Sequence, residues 1–126
     1  MILLDTQVVL WWLADDVRLG AGSRDAIADR SERVRVSAVS VFEVETKRRI
    51  GKLDAPPNLV DAVTAEGFEL MVLDADHAEL AGTLDWAHRD PFDRLLVAQS
   101  RRSTAPILTA DGRILDHEPT ALDART

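Results

Sequence analysis

Short apolar runs alternate with helix-like segments along most of this chain, and this alternation limits the folds that it can adopt. Residues 2–4, 34–39, 68–73 and 106–109 are predicted strands, being apolar or rich in β-branched side chains. Residues 6–13, 23–30, 40–53, 58–65, 75–84 and 91–102 carry helical patterns. Strands joined by helices form βαβ units, whose strands run parallel. The sequence therefore predicts an α/β fold around a mostly parallel sheet.

Composition favours one soluble domain over residues 1–126, with 46% hydrophobic and 29% charged residues. The absence of cysteine excludes disulfides, thiolate zinc sites and a cysteine nucleophile. The opening segment, MILLDTQVV, has Asp5 within its apolar run and no basic residues before it. Neither a signal peptide nor a membrane span is therefore predicted, and we expect a cytoplasmic location.

The formal net charge is −7, which disfavours a protein that binds nucleic acid simply by neutralising its backbone. The same charge is compatible with an enzyme whose carboxylates are covered by metal ions. The net charge therefore disfavours a simple nucleic-acid-binding protein but not a metal-dependent enzyme.

Five acidic residues stand beside the predicted strands, namely Asp5, Glu43, Asp90, Asp93 and Asp111. Asp5 directly follows the first strand, and Asp111 comes two residues after the last. Glu43 is expected in the first turn of the helix after the second strand, and the other two acids begin the helix that leads into the last strand. Ligands of parallel sheets bind outside the carboxyl ends of the strands. We therefore expect most of these acids to meet at one edge.

Each acid also has a purely structural explanation. Ser40 and Glu43 have the spacing of a capping box, and Asp90 fits an N-cap followed by a proline at the first helical position. Asp5 fits a helix cap, Asp93 fits the first turn of a helix, and Asp111 fits a tight turn. Taken singly, such positions are more often structural than functional.

Convergence of the acids would require compensation. Two unit charges about 5 Å apart repel by roughly 3 kcal/mol at an effective dielectric near 20, whereas a cap contributes only about 1 kcal/mol. Some carboxylates must then take up protons, or a cation must bind. Oxygen ligands without cysteine or histidine favour Mg²⁺ or Mn²⁺ over zinc.

Four sequence blocks resemble those of a known family: MILLDTQVVLWWL, SAVSVFEVETKRRIGKL, HRDPFDRLLVAQS and ILTADGRIL. In this order and in a chain of this length, they resemble PIN-domain ribonucleases, specifically the VapC toxins of toxin–antitoxin pairs. The resemblance implies a single PIN domain with a three-layer α/β/α fold. It also implies hydrolysis of RNA phosphodiester bonds with Mg²⁺, or with Mn²⁺ in its place.

The resemblance assigns the catalytic quartet that holds the metal to Asp5, Glu43, Asp93 and Asp111. Asp90 is an additional acid of one branch of the family, either a metal ligand itself or a support for one. Gln7 is a departure, because many relatives have serine or histidine after the aspartate–threonine pair. That departure concerns fine positioning in the site.

Candidate substrate contacts are Thr6, Lys47, Arg94 and Thr109. Lys47 belongs to a basic stretch with Arg48, Arg49 and Lys52, but an intrahelical ion pair with Glu43 is an equally good explanation for it. Trp11 and Trp12 could stack on RNA bases, although core packing is the expected role of an apolar run. His88 is not counted as a site residue, since a lone loop histidine is ordinarily just exposed.

The resemblance also implies partners: a cognate VapB-type antitoxin, an RNA substrate and a second copy of the chain. The apolar residues 8–13 could contribute to such a homodimer.

Two other functions stay open. One is a different acid-based phosphotransfer enzyme built around Asp74 and Asp76, as in haloacid dehalogenase-like and Toprim-like domains. The other is a catalytically silent module whose acidic edge docks a basic partner.

Overall fold

The computed structural model describes residues 1–51, 53 and 55–126, so the basic residue Lys52 lies outside the described residues. The strands are β1 (Ile2–Leu4), β2 (Val34–Ser37), β3 (Glu69–Met71), β4 (Ile107–Thr109) and β5 (Leu122–Asp123). The helices are α1 (Thr6–Leu13), α2 (Ala21–Ala28), α3 (Ala38–Arg49), α4 (Leu59–Ala65), α5 (Ala75–Thr83), α6 (Pro91–Ser103) and α7 (Gly112–His117).

The strands form one sheet in the order β3-β2-β1-β4-β5, and every pairing is parallel. Leu4 of β1 is in register with Val36 on one side and Leu108 on the other. The chain builds the sheet outward from β1 to β3 and then crosses to β4, so the topology reverses between β1 and β4. Ligands bind at such a reversal, outside the carboxyl ends of the strands. The prediction of an α/β fold with a mostly parallel sheet is confirmed.

Alternate side chains of β1 belong to different hydrophobic cores on the two faces of the sheet. Leu4 packs in a core with Val8 and Val9 of α1, whereas Leu3 packs in a second core with Leu96 of α6. A strand points successive side chains to opposite faces, and helices cover both faces here. The result is a three-layer α/β/α arrangement with the sheet in the middle.

Helix α3 begins earlier than its sequence pattern indicates. The Ser37 side chain caps it by accepting a hydrogen bond from the Val39 backbone N–H at 2.9 Å. Ser40 therefore lies inside the helix, and the proposed capping box with Glu43 is wrong. Glu43 is also not in the first turn as expected, because the helix starts at Ala38. Its carboxylate is consequently not used by the start of the helix.

Composition alone predicts a peripheral position for the polar segment 117–126, but this segment contributes a strand to the sheet. Leu122 and Asp123 form β5 beside β4, and Ala124 is buried. Gly20 allows this segment to lie close to the start of α2, since a Cβ at Gly20 would come within 2.4 Å of the Arg125 carbonyl oxygen. A strand of two residues has no periodicity, so only its pairing reveals it.

The first helix packs into the core instead of presenting an apolar face. Val8, Val9 and Trp11 are buried, so these three residues do not contribute to the homodimer surface suggested for residues 8–13. The Trp12 indole donates a hydrogen bond to Glu66 Oε2 at 3.2 Å, and its ring packs against Phe68. Both tryptophans thus serve packing. Across the described residues, no helix combines the length and apolar character needed to cross a bilayer.

Candidate metal centre

A cavity of about 370 Å³ opens where β1 and β4 end. Its lining includes all five acids singled out in the sequence, Asp5, Glu43, Asp90, Asp93 and Asp111. Asp5 follows β1 and Asp111 follows β4, while Glu43 comes from α3 and the remaining two acids come from the start of α6. Residues up to 106 positions apart in sequence therefore face one space, as the position of the acids relative to the strands predicts.

Asp5 is buried at the end of β1. It caps α1, with Oδ1 accepting from the Thr6 backbone N–H at 2.8 Å and Oδ2 accepting from the Thr109 hydroxyl at 2.7 Å. Burial raises the pKa of Asp5 to about 7, with the charges of Asp93 and Glu43 adding to the rise and the Thr109 hydrogen bond opposing it. Ionising this buried carboxyl group is therefore costly unless a cation lies beside it.

Glu43 is buried on α3 and is held from both sides. Its Oε1 lies 2.7 Å from the Thr6 hydroxyl, which is 2.8 Å from the Ser40 hydroxyl. Its Oε2 accepts a hydrogen bond from Lys47 Nζ at 2.5 Å. The predicted intrahelical ion pair is thus present, yet Lys47 also lines the cavity. Thr6, expected at the substrate, holds Glu43 in this structure.

The start of α6 places two acids and a histidine together. Asp90 caps the helix, accepting from the backbone N–H groups of Phe92 at 2.9 Å and Asp93 at 3.3 Å. Asp93 Oδ2 lies 2.6 Å from His88 Nε2. Ligand atoms of His88, Asp90 and Asp93 all lie within 4.8 Å of one another. Burial raises the pKa of Asp93, opposed by the His88 hydrogen bond and reinforced by the charges of Asp90 and Asp111.

His88 is a site residue that sequence reasoning left out. Its ring meets Trp86 edge-on with 4.9 Å between centroids, and Trp86 stacks on His117 at 4.4 Å. These contacts hold the imidazole against Asp93. Its position two residues before Asp90 is the one feature of the sequence that places His88 near the site. The loop conformation that turns the ring toward Asp93 has no sequence pattern.

Asp111 caps α7 and is paired with the following arginine. Its Oδ1 accepts from the Arg113 backbone N–H at 2.8 Å, and its Oδ2 lies 3.1 Å from Arg113 Nη2. Burial alone would raise the pKa of Asp111, but the hydrogen bonds and charge of Arg113 lower it below its usual value. Arg113 lines the cavity together with Arg18 and Arg125, and none of the three was a sequence candidate.

Arg94 does not line the cavity, so the expectation that it contacts substrate is not supported. Its guanidinium donates to the backbone carbonyls of Ala81, Leu84, Trp86 and His88 at 2.8–3.0 Å. These bonds tie the segment between α5 and α6 to α6 and so position His88. Thr109 is likewise buried behind Asp5 rather than exposed to a ligand.

The residues of the alternative phosphotransfer site lie elsewhere. Asp74 caps α5 through the His77 backbone N–H at 3.0 Å, and the His77 imidazole accepts from the Asp74 backbone N–H. Neither Asp74 nor Asp76 lines the acidic cavity. This acid pair therefore serves the start of a helix.

The donor set around the cavity fits a hard divalent cation. Carboxylate oxygens are the ligands that Mg²⁺ and Mn²⁺ prefer, and five such groups line one space. Burial and neighbouring carboxylate charges raise the pKa of Asp5 and of Asp93, so keeping both carboxylates ionised together costs free energy. A divalent ion would lower that cost.

Comparison with known proteins gives one family match and clear structural likenesses. The family model for the PIN domain matches residues 2–118. A structure described as a toxin–antitoxin complex from Klebsiella pneumoniae aligns with a TM-score of 0.70 and 13% identity, covering 98% of each chain. VapBC2 from Rickettsia felis, bound to a DNA fragment from its promoter, aligns with a TM-score of 0.69, again with 13% identity and 98% of each chain. No curated protein matches the sequence.

Proposed function

The chain belongs to the PIN domain family, and on that premise we propose that it is the toxin nuclease of a toxin–antitoxin pair. The proposed reaction is metal-dependent endonucleolytic hydrolysis of RNA, with Mg²⁺ as the ion and Mn²⁺ as a substitute. A single PIN domain over residues 1–126 is part of this proposal, which extends the match at residues 2–118.

The observation that carries the proposal is the convergence of Asp5, Glu43, Asp93 and Asp111 on one cavity at the reversal of the sheet. A cluster of this charge in a protein of net charge −7 repels a polyanion. With divalent ions bound, the same cluster becomes attractive to phosphate. A nuclease therefore accounts for the charge, whereas a silent module that docks a basic partner needs no buried carboxylate with a pKa near neutrality.

In the proposed mechanism, the four quartet carboxylates hold the ion. Bound Mg²⁺ or Mn²⁺ would lower the pKa of a water molecule and stabilise negative charge on the phosphate. Asp90 shapes the site by capping α6 and fixing the backbone of Asp93. His88 keeps Asp93 in one orientation through its 2.6 Å contact. Lys47, on the cavity wall, is the proposed contact to a substrate phosphate.

Two threonines position carboxylates in this proposal. Thr109 orients Asp5, and Thr6 orients Glu43. A fixed carboxylate offers its free lone pairs in one direction, which favours the regular coordination that Mg²⁺ demands. Both residues thus act on the reaction through the ligands they hold.

The proposed protein partner is a VapB-type antitoxin, since the structural neighbours include toxin–antitoxin complexes. A basic segment of such a partner would match the acidic cavity. We also propose a homodimer formed through an exposed apolar surface lined by Phe42, Val60, Leu70, Val72 and Leu73. Phe42 and Val72 are 65% and 73% exposed. A cytoplasmic location completes the proposal.

The direct test is cleavage of a panel of cellular RNAs by the native chain, with Mg²⁺ or with EDTA. We expect Mg²⁺-dependent cutting that Asp5→Asn abolishes. Asp74→Asn is the matched control, because asparagine also caps a helix well and Asp74 lies outside the cavity. Equal cutting by the native chain and Asp5→Asn would reveal a contaminating nuclease and remove the assignment. Loss of cutting in Asp74→Asn alone would favour the other phosphotransfer site.

A further inference from the structure

Two candidate metal ligands, Glu43 and Asp111, are already paired with a cation of the protein itself. Glu43 binds Thr6 with Oε1 and Lys47 with Oε2. Asp111 accepts from the backbone N–H and Nε of Arg113 with Oδ1, and from Arg113 Nη2 with Oδ2. A metal ion that bound to these two carboxylates would therefore be repelled by the cation already paired with each of them.

The two cations differ from the other basic residues of the cavity in what they hold. Lys47 and Arg113 hold candidate metal ligands, whereas Arg18 pairs with Asp16 and Arg125 donates to a backbone carbonyl. All four cations line the same cavity. Only the first two therefore stand in direct competition with a bound ion.

Both cations also lie in the field of the acids at the start of α6. The hydrogen bond that Lys47 donates to Glu43 raises the pKa of Lys47, and the charges of Asp90 and Asp93 contribute to that rise. The hydrogen bond to Asp111 raises the pKa of Arg113, again with contributions from Asp93 and Asp90. Each cation thus offsets part of the negative charge of the whole cluster, not only that of its own partner.

We propose that Lys47 and Arg113 exchange partners when a divalent ion binds, releasing Glu43 and Asp111 and taking up substrate phosphates instead. A divalent ion on a shared carboxylate repels the ammonium or guanidinium that held it. Both side chains are free to turn, since Lys47 is 44% and Arg113 is 64% exposed. A guanidinium can then bind phosphate through two parallel N–H groups, and an ammonium can bind it as a point charge.

The exchange, which rests on the proposed nuclease function for its substrate, couples two binding events. Metal binding supplies free cations for the phosphates, so metal raises the affinity for RNA. By linkage, RNA raises the affinity for metal by the same factor. In the metal-free protein the same cations offset part of the negative charge of the acids.

The test compares Arg113→Gln and Lys47→Gln with two charge-matched controls. Arg18→Gln removes a cation from the same cavity without freeing a candidate ligand, and Arg33→Gln removes an exposed cation paired with Glu69. Mn²⁺ affinity of the RNA-free proteins is measured by titration calorimetry. We expect the first two variants to bind Mn²⁺ about fivefold or more tightly than Arg18→Gln does, and Arg33→Gln to match the native chain.

The second readout is affinity for a fluorescein-labelled RNA oligonucleotide, with Ca²⁺ in place of Mg²⁺ to separate binding from cleavage. We expect ion addition to increase RNA affinity in the native chain and to do so several-fold less in Arg113→Gln and Lys47→Gln. Arg113→Lys should recover part of the increase. Circular dichroism melting of each variant establishes that it is folded.

Three results would overturn the exchange: Mn²⁺ affinities no higher than that of Arg18→Gln, unchanged ion-dependent RNA binding in both variants, or a native chain that binds no divalent ion. The expected affinities in a chain that cuts no RNA would instead support the exchange while removing the proposed nuclease function. A native chain that binds no divalent ion would remove both proposals, whereas the other results separate the exchange from the nuclease function.

Discussion

The Thr109 hydroxyl donates to Asp5 Oδ2 at 2.7 Å, joining the last residue of β4 to the residue that follows β1. This hydrogen bond lowers the pKa of a carboxyl group that burial raises. It therefore favours the ionised form that a metal ion requires, at the point where the sheet topology reverses.

Replacing Thr109 by valine should impair metal binding, because Asp5 then loses the hydrogen bond that favours its charge. The pKa of Asp5 should rise, and the pH at which Mg²⁺ begins to bind should rise with it. A buried acceptor left unpaired should also cost about 1–3 kcal/mol of unfolding free energy. Mg²⁺ titrations between pH 6 and pH 9 measure the shift. Thr109→Ser should restore the native profile, and a valine variant with the native profile would contradict this role.

The free energy of unfolding of the metal-free protein should fall as the pH rises from about 4 to 7. Asp5 has a pKa of about 7 in the folded protein, against an ordinary value of 3.8. The folded state therefore holds a proton that the unfolded state has lost in this interval, and each pH unit costs about 1.4 kcal/mol. The raised pKa of Asp93 acts in the same direction.

Melting temperatures in EDTA at several pH values test this dependence. Asp5→Asn should flatten it, and saturating Mg²⁺ should stabilise the native chain more at pH 8 than at pH 5. The lowered pKa of Asp111 contributes stability that is lost only as the medium becomes more acidic than about pH 4. A native stability in EDTA that increases from pH 5 to pH 8 would contradict the assignment.

Replacing His88 by alanine should lower activity by about tenfold or more, because Asp93 loses the group that orients it. The pKa of Asp93 should also rise, since the His88 hydrogen bond lowers it. Initial cleavage rates measured across Mg²⁺ concentrations should show weaker Mg²⁺ binding, with more Mg²⁺ needed for the half-maximal rate at a given pH. His117→Ala, which removes the stacking partner on Trp86 rather than the contact to Asp93, should have a smaller effect. Equal losses of activity in the two variants would indicate that His88 serves packing alone.

Replacing Arg94 by glutamine should destabilise the fold rather than weaken substrate binding. The four carbonyls that its guanidinium satisfies would lose a charged donor, which should cost about 3 kcal/mol. Urea unfolding measures that loss. Arg102→Gln, an exposed change on the same helix, should stay within about 0.5 kcal/mol of the native value. A stable Arg94→Gln with raised KM would return Arg94 to the substrate.

Replacing Val72 by aspartate should weaken the proposed homodimer, because the charge would be buried among Phe42, Leu70 and Leu73. Light scattering after size-exclusion chromatography gives the mass of each variant. Val17→Asp is the matched control, since Val17 is 92% exposed and does not line the apolar surface. If both variants keep the native mass, that surface is not the interface.

The class of fold and the position of most elements follow from local features of the sequence. β1, α1 and α6 were predictable because periodicity and capping act within a few residues, as with Asp90 before Pro91. The boundary at Ser37 was not, since two serines three residues apart are both good caps. The strand in segment 117–126 has no local signal at all, because β5 exists only through its pairing with β4.

The sequence alone determined which carboxylates could meet, because each stands at the end of a strand or the start of a helix whose direction the parallel order dictates. Only the tertiary structure decided what those carboxylates touch. Thr109 and Asp5 are 104 residues apart, and His88 reaches Asp93 through a loop that Arg94 holds. Capping and periodicity are interactions between near neighbours in the chain, whereas these contacts depend on strand order and side-chain rotamers. The candidate ligands were therefore visible in the sequence, and the groups that orient and neutralise them were not.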